Sequence, residues 1–248
     1  MEVHHHGHHH EGKKNWKAYF WEFLMLFLAV FCGFLAEYKL EHTIEDQKGE
    51  QFIHSIYQDL KIDNSQLKAL IPKFKEKDKE LGEMLEKIKN ITPENGANGI
   101  YKYIHIVANY PDFVYTDRTI QQLKNSGGLR LITNNEVSDK IIKYDAYVKV
   151  LDIHITEEIT DQIHVVRQLN AKIFDMRCCP LLGENVSSDR INYPVPGKLL
   201  TNDQKVVVEY YNNVLEMKRN YNIQLQILEK LLNENNKLQV FLKNKYDL

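Results

Sequence analysis

The sequence comprises 248 residues, and its 32 lysines and arginines nearly balance its 34 aspartates and glutamates. This balance argues against an extended basic face for nucleic acid and against a polybasic patch for lipid headgroups. Only three cysteines occur, so the chain is not a disulfide-framed secreted fold.

The first 15 residues, 1–15, form a polar, histidine-rich tail that we expect in the cytoplasm. Neutral imidazoles at short spacing chelate Zn²⁺, Ni²⁺ or Cu²⁺. The candidate metal ligands are His4, His5, His6, His8, His9 and His10. A flexible polyhistidine segment also binds these metals adventitiously, so the pattern does not distinguish a physiological site from an incidental one. No other segment indicates a metal, and we expect no cofactor.

The apolar run 16–36, WKAYFWEFLMLFLAVFCGFLA, predicts a transmembrane helix. At about 1.5 Å per residue it spans roughly 30 Å, which is the thickness of a bilayer's hydrocarbon core. No charge occurs from Phe23 to Ala36. A cleaved signal peptide is the competing interpretation, but the continuation 37–41, EYKLE, offers no small-residue cleavage site.

The charges on the two sides of the apolar run differ in sign. Lysines and histidines precede it, whereas Glu37, Glu41, Glu45 and Asp46 dominate the turns that follow. Positive residues favour the cytoplasmic side of a membrane. We therefore expect a cytoplasmic N-terminus, with residues 37–248 outside the cytoplasm.

Within the run, a narrow helical face combines small residues with one acidic residue, at about 100° per residue. Its members are Glu22, Ala29, Gly33 and Ala36. Small residues let two helix backbones approach closely, so this face is predicted to pack against another transmembrane helix. A second interpretation is open for Glu22, because a carboxylate near the start of a span also reaches the headgroups or pairs with Lys17.

Beyond the apolar run, hydrophobic residues recur at three- and four-residue steps and predict a long amphipathic helix. They are Ile53, Ile56, Leu60, Leu67, Ile71, Phe74, Leu81, Leu85 and Ile88. Pro72 lies within this pattern. Because proline lacks an amide donor and clashes with the preceding turn, we expect a kink or a division into two helices there.

A loop and two short helices are predicted next. The segment 92–99 is rich in Asn and Gly, as loops are. Short helices are expected near 100–108 and 117–125, and the second of them is expected to be capped by Thr116 or Asp117.

The motif NSGGLR at 125–130 has the composition of an anion-binding loop. Its glycines lack the spacing of a P-loop or of a dinucleotide fingerprint. A helix stop at the two glycines explains the same residues more simply. Arg118 and Arg130 are nevertheless candidate contacts for an acidic ligand there.

A second long amphipathic pattern runs from about 135 to 174 and predicts another long helix. The segment 176–200 contains prolines and glycines and predicts a long connection. It carries Cys178 and Cys179, which an oxidising compartment would permit to form a vicinal disulfide or a bridge to another chain. Two reduced thiols in a loop are the alternative.

The last predicted element is a long helix after 201–204, TNDQ, which resembles a capping box. Three long and at least two short helices, with no strand pattern of comparable strength, indicate an all-α fold. The predicted organisation is one N-terminal transmembrane helix followed by an extramembrane helical bundle over 37–248.

Four segments carry a resemblance to a known family: the short polar N-terminus, the span EFLMLFLAVFCGFLAE, its continuation QFIHSIYQDLKID, and the later DRTIQQLKNSGGLRLI. Together they resemble an uncharacterised family of single-pass membrane proteins of Bacteroidota. The resemblance implies an anchor in the bacterial inner membrane and a periplasmic helical domain. It implies no activity.

The sequence favours an interaction function over catalysis. Neither a nucleophile with its base and orienting group nor a complete metal-ligand set can be assembled from it, so we expect no enzyme. We expect a membrane-anchored periplasmic module for interaction or scaffolding. Its partners would be the lipid bilayer and either a membrane protein or further copies of the chain. A sensory or ligand-binding module that acts through a partner is the alternative.

Overall fold

The computed structural model describes residues 15–91, 99–108, 110–176, 199–201 and 203–248. All regular secondary structure in these ranges is helical. Apart from the helices, the described chain has an isolated antiparallel bridge between Phe174 and Leu199. The predicted all-α class is therefore confirmed.

The described chain forms six α-helices: α1 Trp16–Lys89, α2 Tyr101–Ala108, α3 Arg118–Asn125, α4 Asn135–His154, α5 Thr160–Ile173 and α6 Gln204–Tyr246. A 3-10 turn, Gly128–Leu131, follows α3. A π-helical turn, Ile155–Ile159, joins α4 to α5 without a break. The amphipathic pattern predicted from about 135 to 174 is thus one helical rod with a wider turn inside it.

Helix α1 has 74 residues and a length of about 110 Å. Its first third is exposed on every side, and its first buried residue is Gly49. From Ile53 to Ile88 its apolar face packs into the core, as the periodicity predicts. The same uninterrupted helix therefore forms both the apolar N-terminal segment and one side of the bundle.

Pro72 lies inside α1 and does not end it. The predicted division into two helices is wrong. Pro72 and Lys68 are both exposed. Because the carbonyl that loses its amide donor, that of Lys68, lies on this exposed side, water can satisfy it and the helix continues.

The three long rods pack side by side, with α6 antiparallel to the others. Along α6, Asn235 contacts Asn64 of α1, and Lys218 further back pairs with Asp78 further along α1. Tyr144 of α4 also contacts Asn235. The C-terminal end of α6 thus lies beside the start of the packed part of α1, on the side of the apolar segment.

The helix ends partly follow the predicted capping. Gly127 has φ +66°, so a left-handed residue follows α3 as predicted for a glycine stop. Asp117 occupies the position before α3, but its side chain makes no capping bond there. For α6 the predicted capping box is wrong, because Asp203 is the cap and accepts from the Lys205 amide at 2.9 Å.

Gly49 marks a close backbone approach in the bundle. A Cβ built on it would lie 2.2 Å from the carbonyl oxygen of Leu131, in the 3-10 turn. Real Cβ atoms do not come so close to a backbone oxygen. A glycine is therefore required where the turn crosses α1, close to the point at which the helix enters the bundle.

We expect Gly49→Ala to destabilise the bundle, because overpacking of about 1–3 kcal/mol outweighs a helix-propensity gain of about 1 kcal/mol. Gly82→Ala is the matched control in the same helix, since its Cβ would meet only the Lys218 side chain at 3.9 Å. That variant should be neutral or stabilised. Denaturant unfolding in detergent, followed by circular dichroism, measures both. Equal stabilities for the two variants would contradict the close approach.

Candidate functional site

The apolar segment at the start of α1 is the most exposed hydrophobic surface in the described chain. Its most apolar 18-residue window has a mean hydropathy of 2.0, and none of it is buried within the protein. Phe23 is 64% exposed and Phe34 63%. By length and composition this helix is able to cross a membrane. An unburied apolar surface of this extent is typical of a segment that contacts a membrane or another protein.

Aromatic rings form a row along one side of this segment. Its members recur every three or four residues: Trp16, Phe20, Phe23, Phe27, Phe31, Phe34 and Tyr38. Several neighbouring rings of the row stack, for example Phe27 on Phe31 with centroids 5.8 Å apart. The helical rotation of about 100° per residue places Gly33 on the far side of the helix from this row. The segment therefore has one bulky aromatic side and one side of small residues.

The small side is open. Glu22, Ala29, Gly33 and Ala36 are all exposed, and a Cβ built on Gly33 would meet no atom within 4 Å. Cys32 nearby is a free, exposed thiol. Packing of this side against another transmembrane helix stays a prediction.

The two arginines singled out from the sequence contact carboxylates of α1. The Arg118 Nε lies 2.7 Å from Asp59 Oδ1, and an Arg130 nitrogen lies 4.0 Å from Glu45 Oε1. Asp59 and Glu45 are about 21 Å apart along the helix axis. The structure therefore does not bring the two guanidinium groups to one place, and anion binding by either stays a prediction.

Two of the predicted sites lie outside the described residues. These are the histidine cluster, at 4–6 and 8–10, and the cysteine pair at 178 and 179. Within the described ranges, no group of three or more His, Cys, Asp and Glu side chains is arranged to hold a metal ion.

A layer of buried polar side chains crosses the middle of the bundle. Asp59 is 4% exposed and Asp63 1% exposed. Thr119 of α3 donates a short hydrogen bond to Asp59, in addition to the contact from Arg118. Asp63 accepts from the Thr116 amide at 2.9 Å. These two carboxylates of α1 thus hold the start of α3 in place.

A second part of this layer joins α1 to α6. The Asn64 amide donates to Asn235 Oδ1 at 2.9 Å, and the Asn235 amide donates to the Leu60 carbonyl at 3.0 Å. Asn235 also donates to the Tyr144 hydroxyl at 3.1 Å, and that hydroxyl donates to Asp63 at 3.0 Å. One connected set of hydrogen bonds therefore fixes α1, α3, α4 and α6 relative to one another.

Asp145 of α4 extends the polar layer toward the surface. It is 3% exposed, and its carboxylate lies 2.5 Å from Lys124 Nζ and 3.4 Å from Lys149 Nζ. Tyr115 also reaches it, at 3.5 Å. This buried charge is paired, as a buried carboxylate must be.

The burial of the layer changes its protonation behaviour. Desolvation raises the pKa of the Asp63 carboxyl, and the neighbouring Asp59 carboxylate adds to this rise. Hydrogen bonds from Thr116 and Tyr144 offset part of it. Desolvation also raises the pKa of the Tyr115 and Tyr144 hydroxyls. The tyrosines therefore remain protonated at neutral pH and act as donors to the aspartates.

The cavity beside these carboxylates is small. It measures about 20 Å³ and is lined by Asp59, Asp63, Tyr115 and Tyr144 among others. Such a volume accommodates about one water molecule. The layer therefore has the properties of a structural network, and it offers no space for a substrate.

An aromatic cluster lies further along the same helices. Phe74 of α1 contacts Tyr110 and Tyr221 with ring centroids 5.8 and 5.5 Å away. The hydroxyls of both tyrosines and the Gln224 side-chain oxygen are buried, with no hydrogen-bond partner among the described residues. Ring packing therefore joins α1 to α6 at this level, next to the Lys218–Asp78 ion pair one turn away.

Comparison with protein-family models, with curated proteins and with solved structures found no match for this chain.

The raised pKa of Asp63 predicts a pH-dependent contribution to stability. Between the ordinary pKa of 3.8 and the higher folded-state pKa, the folded chain holds a proton that the unfolded chain has lost. The contribution of Asp63 to the unfolding free energy is therefore complete below pH 3.8 and decreases as the pH rises toward the folded-state pKa. We expect the unfolding free energy of the wild type, minus that of Asp63→Asn, to fall between pH 4 and pH 7. Denaturant unfolding at several pH values measures this difference.

Tyr144→Phe provides a second arm of the same experiment. It removes a hydrogen bond that lowers the pKa of Asp63, so the loss of stability should extend to higher pH and become larger in total. A difference between wild type and Asp63→Asn that does not change with pH would show that the carboxyl is not perturbed.

Proposed function

We propose that this chain is a membrane-anchored interaction module, with the apolar segment of α1 in the lipid bilayer and the helical bundle outside the membrane. The observation that supports this proposal is that the apolar segment is entirely unburied, although it belongs to the same helix as the packed part of α1. A core helix of a soluble protein would instead cover its apolar surface within its own fold.

The orientation is proposed from the charges. Acidic residues dominate the first turns after the apolar segment, which favours the non-cytoplasmic side for the bundle. Together with the resemblance described above, this supports a periplasmic bundle and an anchor in a bacterial inner membrane. The first 15 residues would then lie in the cytoplasm.

The part of α1 between the apolar segment and the bundle supports assembly with a partner. Residues 37–48 form about 18 Å of helix, and all of them are exposed apart from Glu45, which lies 4.0 Å from Arg130. Leu40 is 61% exposed and Ile44 41% exposed, one turn apart on one side. Isolated helices of this length are marginal in water. A membrane-protein partner or a second copy of the chain would cover this stalk.

Charge placed within the apolar segment should abolish anchoring. We expect the double variant Leu28→Arg with Phe31→Arg to lose membrane retention, because each arginine at the centre of a span costs about 3 kcal/mol on the insertion scale. Carbonate-washed membranes, analysed by immunoblot, provide the measurement. The matched control is Leu40→Arg with Ile44→Arg, which places the same charges in the stalk and should stay in the membrane fraction.

The same membranes test the orientation. Protease added to intact spheroplasts should digest the bundle of the wild type and of the stalk control. Undiminished retention of the Leu28→Arg, Phe31→Arg variant would reject the anchor, whereas a protected bundle would reject only the orientation.

The open side of the apolar helix provides a test of association within the membrane. We expect Gly33→Ile to weaken association, because a branched side chain separates the two backbones. The fold of the chain should not change, since no atom lies near a Cβ at this position. Phe31→Ile, on the aromatic side, is the control. Crosslinking and native mass spectrometry in mild detergent report the result, and an unchanged assembly with Gly33→Ile would leave the bundle and stalk as the sole contacts.

A further inference from the structure

A groove of about 500 Å³ lies between the irregular segment 112–117 and helix α4, ending at the π-helical turn. Its floor is apolar. Phe113, Val148 and Leu151 form it and are themselves buried, with exposures of 9%, 6% and 1%. Ile155, the first residue of the π turn, closes one end. A floor of this kind suits an apolar side chain of a bound segment.

The rim of the groove carries an excess of negative charge. Asp112 and Asp117 lie on one side and Asp152 on the other, against one exposed lysine, Lys149. The fourth carboxylate, Asp145, is already paired with lysines. Asp112 and Asp152 take part in no ion pair within the described residues. Two unpaired carboxylates thus face each other across an apolar floor.

A second groove of comparable size on the bundle lacks this asymmetry. It measures about 370 Å³, and its rim alternates acidic and basic residues of α4 and α6: Glu136, Asp139, Lys140, Lys143, Glu234 and Lys237. Several of these are paired with one another. Its charges cancel, so it selects no partner by charge.

We propose that the groove beside α4 binds a short basic segment of a partner protein, with lysine or arginine side chains on Asp112 and Asp152 and an apolar side chain on the floor. This deepens the interaction function proposed above and rests on it. From Asp145 to Ile155 the groove follows α4 for about 15 Å, which is the length of four to five residues of extended chain. An open, elongated groove with a carboxylate on each side matches an extended peptide in length and in charge.

The position of the groove restricts which part of a partner reaches it. The Gln66 side chain of α1 bonds both backbone groups of Val114, beside the groove. Gln66 is 30 residues beyond Ala36, or about 45 Å along α1. The basic segment therefore belongs to the extramembrane part of a partner and not to its membrane-adjacent part.

The test uses the full chain in detergent and a labelled five-residue peptide that alternates lysine and leucine, with binding followed by fluorescence anisotropy. We expect saturable binding that weakens about tenfold in the double variant Asp112→Asn with Asp152→Asn, which is about 1.4 kcal/mol for two exposed charge contacts. The matched control is Asp139→Asn with Asp161→Asn, which removes the same charge elsewhere on the surface. It should bind the peptide as the wild type does.

Three outcomes would overturn the groove proposal. The first is equal weakening in both double variants, which would mean non-specific attraction. The second is equal binding of a peptide with glutamate in place of lysine. The third is spermidine displacing the peptide at the same concentration at which the unlabelled peptide does, which would indicate a small-amine site. None of these three binding outcomes depends on membrane retention. Failure of the groove proposal is therefore distinguishable from failure of the proposed membrane anchor.

Discussion

The buried polar layer at the middle of the bundle determines how the long helices lie against one another. Carboxylates and amides removed from water must find partners, because each unsatisfied group costs about 1–3 kcal/mol. Asn235 has its donors satisfied only where α6 places it beside Leu60 and Tyr144. A shift of α6 by one turn would keep apolar residues in contact but would leave Asn64 and Asn235 unpaired. We infer that the polar layer specifies the register that apolar packing alone leaves degenerate.

Because α1 is one continuous helix, its rotational orientation in the bundle also sets the orientation of its apolar segment. The residues that face the core, such as Ile56 and Leu60, lie on the same side of α1 as the aromatic row that begins at Trp16, within the drift expected for a helix of this length. The open side at Gly33 therefore lies on the opposite side of α1 from these core-facing residues.

Periodicity predicted the all-α class and the bounds of the main helices to within a few residues, because apolar residues at three- and four-residue steps have few alternatives. It also located the glycine stop after α3. It did not locate the polar layer, although a signal was present. The apolar stripe of α1 passes from Leu60 to Leu67 without a hydrophobic residue at the core positions between them, since Ile62 is exposed. Asp63 and Asn64 occupy the missing step. A polar residue at a core position has a partner only in three dimensions, so its pairing cannot be deduced from one helix.

Two other features of α1, its continuity at Pro72 and its crossing at Gly49, also depend on tertiary structure that the sequence does not show. Pro72 was expected to kink α1 or divide it into two helices. The helix is not divided, because the affected carbonyl faces solvent, and a sequence does not show that exposure. Gly49 appears in the sequence as an ordinary helical glycine, yet it is where the 3-10 turn crosses α1 at backbone distance. That crossing is a close backbone contact near the point where α1 leaves the bundle, and the Arg130–Glu45 pair lies one turn further toward the apolar segment. It therefore fixes the point at which the stalk begins, and hence a separation of about 20 Å between the packed domain and the apolar segment.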